Sequence, residues 1–176
     1  MNSLRGWLLG CLIVISCVLV VAAAPILPRA PRMPDDQRTL ARIDRVRLQI
    51  AQPSPHLRQA GISVSRIETE WRRKLTNAGI TVVDDANDLD VPTLVVESNS
   101  TGDADVPDGI GFTVYLKVFQ RVQVPRLGEE PFFVPTFVMV GGGMDNQADL
   151  AATAQSQYDL LIDAFIALSQ RATAAP

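Results

Sequence analysis

Cysteine is almost absent: the 176 residues hold two, Cys11 and Cys17, both inside an apolar stretch near the start. Beyond that stretch the chain can form no disulfide, no thiolate metal site and no cysteine nucleophile, so a folded part must be held by its core. Histidine is scarcer still, with His56 alone in the loop Pro53-Ser54-Pro55-His56, whereas zinc sites recruit several histidines or cysteines. Aromatics make up 6% of the residues, and no basic stretch is interleaved with them. Together with the net charge of −3, this argues against nucleic-acid binding. No metal and no cofactor are expected.

What the chain does have begins with a long apolar run, Trp7 to Leu27, broken only by Gly10, Ser16 and Pro25. Three readings of this leader stay open, and each gives a different covalent product. In a cleaved signal peptide, Arg5 is the charged region and Trp7 to Val21 the apolar one, with Ala22, Ala23 and Ala24 behind them. Cleavage after Ala23 avoids placing Pro25 beside the cut, so Ala23 and Ala24 mark the candidate site. In an uncleaved hydrophobic helix, the 21 residues from Trp7 to Leu27 suffice for a span that needs about 20. In the third reading Val14-Ile15-Ser16-Cys17 is a lipoprotein signal and Cys17 carries the lipid. The first and third make the protein exported, periplasmic or extracytoplasmic, either released or membrane-associated; in the second, Arg29 and Arg32 beyond the run against Arg5 before it favour the reverse orientation and leave a cytosolic domain open.

Prolines at 25, 28, 31 and 34 then form a stiff linker, because proline-rich segments favour the extended polyproline conformation. The expected organisation is a leader over 1–24, a proline-rich linker over 25–38, one domain over 39–172 and a disordered tail over 173–176. Charge is divided along this order. Residues 24–74 carry 11 Lys and Arg against 5 Asp and Glu, net +6, and residues 75–176 carry 4 against 14, net −10. Either one face of the domain is basic, or packing interleaves the two halves into a mixed surface.

Val46, Leu48 and Ile50 alternate with Arg45, Arg47 and Gln49, the period of a half-buried strand. A helix follows, with Ser63 or Ser65 as its cap and Glu68 completing a capping box with the latter. Val64, Ile67, Trp71 and Leu75 share one of its faces, and Gly79 supplies the left-handed residue at its end. Further strands are expected over Ile80 to Val83, Thr93 to Ser98, Phe112 to about Val124 and Phe132 to Val140. Pro135 argues for an edge position or a bulge in the last of these, because proline cannot donate to a ladder. Gly141-Gly142-Gly143 reads as the turn that ends it, before a long amphipathic helix from about Asn146 to Arg171. The order β-α-β-β-β-β-α, with a parallel crossover and then an antiparallel meander, predicts an α+β two-layer sandwich. Its mixed sheet of about five strands has two helices on one face.

Gly61-Ile62-Ser63 opening a helix, Leu75-x-x-Ala78-Gly79-Ile80 closing it, Pro92-x-Leu94-x-Val96 and a terminal helix with Phe165 resemble a group of small exported bacterial proteins of unknown function. The resemblance spans about Leu40 to Gln170, and in that group an aromatic sits late in the last strand, here Phe137. More distantly, the layout is similar to the N-terminal domain of the periplasmic Tol-system propeller protein. That likeness implies an envelope partner and no chemistry.

Three further groups of residues bear on chemistry. Gly141 to Gly143 lack a P-loop lysine and sit beside Asp145, so a turn is favoured over an anion site. The acidic loops Asp84, Asp85, Asp88, Asp90 and Asp103, Asp105, Asp108 lack calcium-loop spacing. His56 with Ser54 or Ser63 lacks an orienting acid, so no hydrolytic site is expected. Asp159 and Asp163, four apart on the terminal helix, repel unless solvated or met by a cation. The candidate interaction patch is Tyr115, Lys117, Phe119 and Arg121, on the outward side of the long strand, since aromatics beside cations favour interfaces. The expected function is therefore a non-catalytic envelope protein that binds an envelope protein or the membrane surface; the alternative is an envelope enzyme or accessory domain with a pocket hidden from sequence. Mass spectrometry of the native chain from fractionated cells should find a start at Ala23, Ala24 or Pro25 in the soluble fraction if the leader is cleaved. A start at Met1 or at a lipidated Cys17 in the membrane pellet would replace cleavage by anchoring.

Overall fold

The computed structural model describes residues 33–85, 88, 90–102 and 108–175, which belong to one compact unit, Met33–Pro176. Ala23, Ala24 and Cys17 lie outside these residues. Five strands are present: β1 (Arg45–Ile50), β2 (Thr81–Val82), β3 (Thr93–Gly102), β4 (Gly109–Gln123) and β5 (Pro131–Asn146). They form a mixed sheet in the order β2-β1-β3-β4-β5. β2 and β3 both run parallel to β1, one on each side, while β4 and β5 add antiparallel. The α+β sandwich and the predicted order of its main elements are both found.

Four helices accompany the sheet: α1 (Asp35–Arg38), α2 (Pro55–Gln59), α3 (Val64–Asn77) and α4 (Leu150–Ala174). Ser63, in an extended conformation, caps α3 by accepting the Arg66 N–H at 3.4 Å. The box expected at Ser65 and Glu68 does not form. Ser65 lies inside the helix, and Glu68 pairs with Arg72 at 3.0 Å. Ile67, Trp71 and Leu75 face inward from α3, and Ala154, Tyr158, Ile162 and Phe165 from α4. They meet Val46, Leu94, Val96, Val114, Leu116 and Val118 in a single core. Both long helices therefore cover the same sheet face, as hydrophobic stripes must bury against another layer.

Three boundaries differ from the sequence expectation, each for a packing reason. Residues 33–38 belong to the domain rather than to the linker. Met33 packs against the core, Leu40 is fully buried, and the Ser169 hydroxyl donates to the Leu40 carbonyl at 3.1 Å. The tail expected at 173–176 is helical as far as Ala174. Ala172 is buried, and Thr173 Oγ1 accepts the Arg42 N–H at 2.9 Å. The short α2 stands where a loop was expected, because Leu57 reaches the core and Pro55 starts the turn without needing its missing N–H.

The largest difference is the triple glycine, which does not end β5 but lies within it. A side chain would not fit there. A Cβ on Gly142 would stand 2.5 Å from the Phe112 carbonyl oxygen, and one on Gly141 2.9 Å from Gln157 Oε1 of α4. Glycine here answers a close approach rather than a turn. Pro135 meets both of its expectations: β5 is an edge strand, and the register slips between Val118 and Phe119, leaving Thr136 as the extra residue.

The charge halves interleave. Lys74 of α3 binds Asp159 Oδ1 at 3.1 Å and Asp163 Oδ2 at 2.9 Å on α4, so the like-charged pair shares one cation. Arg72 reaches Asp84, and Arg45 reaches Asp88 at 3.3 Å. Burial acts most strongly on Lys74 and would lower its pKa, yet the hydrogen bonds to Asp163 and Asp159 carry it above the ordinary 10.5. Burial raises the Tyr158 phenol above 10.0, with Ser98 opposing weakly.

Two predictions follow from this packing. Gly142→Ala should cost about 1–3 kcal/mol in denaturant unfolding, because backbone must move. Gly141→Ala should cost less, because only the Gln157 amide need swing away. Both Lys74 and Tyr158 hold their protons more tightly in the folded chain than in the unfolded one. Stability is thus fully present below about pH 10 and is lost as pH rises through the folded values. Thermal unfolding should show that alkaline loss, and Tyr158→Phe should blunt it.

Candidate interaction face

Side chains alternate across a strand, so the face opposite the helices is fixed by the residues between the core positions. On β4 these are Thr113, Tyr115, Lys117, Phe119 and Arg121, which alternate with the buried Phe112, Val114, Leu116 and Val118. Register places Val95 beside Lys117 and Glu97 beside Tyr115 on β3. On the other side, β5 sets Val138 beside Lys117 and Val140 beside Tyr115. All four residues of the predicted patch thus share one face, and no described element packs over it.

Their chemistry differs from two free cations between aromatics. Lys117 Nζ donates to Glu97 Oε2 at 2.6 Å and lies 5.7 Å from the centre of the Tyr115 ring. Arg121 pairs with Asp90 at 3.3 Å. Phe119 stacks on Phe133 with ring centres 5.4 Å apart and planes at 25°, within the range of favourable aromatic pairs. The face is a neutralised apolar surface with its charges satisfied from within.

Sequence reasoning missed the β5 half of this surface. Val138, Val140, Met144 and Phe133 are all exposed, Val140 at 60%. Strict alternation would put Phe133, Pro135, Phe137 and Met139 on one side. The bulge at Thr136 reverses the parity, so Phe133 and Pro135 stay outward while Phe137 turns into the core. Pro135 was the available signal for that reversal. Phe137, the late aromatic of the resemblance, is a core residue.

The other candidates are placed as follows. His56 Nδ1 lies 3.2 Å from Ser100 Oγ, which lies 2.5 Å from Ser54 Oγ. Ser63 caps α3 instead, and no carboxylate is among the hydrogen-bond partners of His56 in the described residues. Asp84, Asp88 and Asp90 serve as ion-pair partners of arginines. Among the described residues no group of three metal-ligating side chains occurs, and Asp103 and Asp105 lie outside those residues. Gly141 to Gly143 have strand geometry and offer no anion loop. A shallow groove of about 440 Å³ runs between α3 and α4, lined by Ser65, Arg66, Thr69, Glu70, Gln155 and Asp159. In it Arg73 beside Glu70 holds the Glu70 carboxyl below its ordinary value. Among the described residues no helix is long and apolar enough to cross a membrane.

Comparison with known proteins finds no matching family model and no matching curated protein. Among solved structures, a minor lipoprotein from Acinetobacter baumannii matches at 13% identity and TM-score 0.30, covering 75% of this chain and 94% of its own. The rare lipoprotein B from Shewanella oneidensis matches at 16% identity and TM-score 0.25, covering 72% of this chain and 89% of its own.

Proposed function

We propose that this chain is a non-catalytic binding module of the cell envelope, exported by its leader, which takes a protein partner on the uncovered sheet face. The observation that carries the reading is the continuous apolar surface of Tyr115, the Phe119 and Phe133 stack, Val138 and Val140. Contiguous exposed apolar surface marks interaction sites more often than solvated faces do. A protein is favoured over a lipid surface because Lys117 and Arg121 already have carboxylate partners, leaving anionic headgroups little charge to attract. The face offers area and aromatic anchors, the usual carriers of protein binding energy, rather than a nucleophile with its base and orienting acid.

Tyr115→Ala with Lys117→Ala should abolish a pull-down partner captured from envelope extract, while thermal stability stays unchanged because both side chains lie outside the core. Partners retained by the double variant would overturn the reading.

A further inference from the structure

The sheet has two ends, and they are very different. β2 ends it with two residues, whereas β5 ends it with sixteen. An edge strand presents a row of unpaired N–H and C=O groups, which proteins protect with prolines, bulges, charges or brevity. On β5 those devices guard only the first part, where Pro131, Pro135 and the bulge at Thr136 lie. From Thr136 to Met144 there is no proline and no charged residue.

The exposed apolar side chains gather on this same flank. Of the seven large exposed hydrophobics among the described residues, five belong to β5, and Leu127 stands in the turn that leads into it. The seventh, Leu160, is on α4. Gln157 and Leu161 of α4 lie against Gly141, while Asp159 and Asp163 turn to α3 through Lys74.

We propose that β5 pairs antiparallel with β5 of a second copy of this chain, across a two-fold axis at Met139, so that each sheet closes the other's open edge. The strand is its own complement in that register. Val138 falls opposite Val140 of the second copy and Val140 opposite its Val138, both on the outer face where apolar cross-strand pairs stabilise a sheet. Phe137 falls opposite Gly141 of the second copy on the helix-covered face. No like charges are opposed. The strip from Phe133 to Met144 is about 40 Å long at strand rise, and sheet and helix layers of about 10 Å each make it about 20 Å deep. That is about 800 Å² per copy, the size of a standard specific interface. The pairing shares Val138 and Val140 with the face proposed for a protein partner but runs along the strand edge, so Tyr115 and Lys117, which lie one strand in on β4, separate the two readings.

The test uses the full chain in non-ionic detergent, with Cys11→Ser and Cys17→Ser, and reads protein mass by multi-angle light scattering. A mass of two chains is expected, halved by Val138→Lys with Val140→Lys and unmoved by Tyr115→Ala with Lys117→Ala. A second readout covers the case in which the lysine variant misfolds. In the same background Met139→Cys should form an intermolecular disulfide on oxidation, because residues facing each other across the axis are within reach of one. Met144→Cys, far from its own copy in this register, should not. A one-chain mass, a two-chain mass that survives the lysines in a folded variant, or equal cross-linking at 139 and 144 would overturn the proposal.

Discussion

The approach of α4 to β5 over Gly141 and Gly143 is the contact on which much else depends. A Cβ on Gly141 would stand 2.9 Å from Gln157 Oε1 and 3.5 Å from Leu161, and one on Gly143 3.5 Å from Thr153, so α4 lies directly over the bare strand. The helix can lie close only because the strand is bare there, and the strand continues through the glycines because β4 pairs with it along its whole length. One consequence is that α4 is drawn to the side of the sheet farthest from β2. Together with α3 it then covers a single face, and the core takes nearly all the inward apolar residues of β1, β3 and β4. No described element covers the opposite face.

Electrostatics supports this layering without directing it. Lys74, mostly covered, links α3 to two carboxylates of α4. Among the described residues it makes the ion pairs between the basic and acidic halves that also tie helix to helix. Arg45 of β1, Arg72 of α3 and Arg121 of β4 each take a carboxylate from Asp88, Asp84 and Asp90 respectively. Exposed pairs of this kind contribute about 0–1 kcal/mol each, so they tune the surface more than they hold the fold. Glu97 and Asp90 neutralise Lys117 and Arg121 on the outer sheet face.

Much of the fold was legible because period and punctuation are local properties. Val46, Leu48 and Ile50 at period two, Ile67, Trp71 and Leu75 at helical spacing, Ser63 as cap and Gly79 at the helix end each act within one turn or one strand. Pro135 was legible as well, since a missing donor constrains its neighbours whatever surrounds it. The glycines were not, because turn freedom and close approach give the same residue, and the choice depends on a helix ten residues further on. Leu40 and Leu57 were not, because isolated leucines in polar segments carry no period. The patch of Tyr115, Lys117, Phe119 and Arg121 was found on its strand. Its other half required the register of β5, which one extra residue at Thr136 reverses.

By itself the sequence determined the class of fold, the identity of its long elements, and the absence of thiol and multi-histidine chemistry beyond the leader, because composition and short-range periodicity suffice for these. Tertiary structure alone decided which face no described element covers, that Lys117 and Arg121 on it are paired to Glu97 and Asp90, and that β5 is the last strand of the sheet with Val138 and Val140 outward. These depend on which segments, far apart in the chain, come into contact. Contact of that kind is set by the packing of the whole core rather than by any stretch of it.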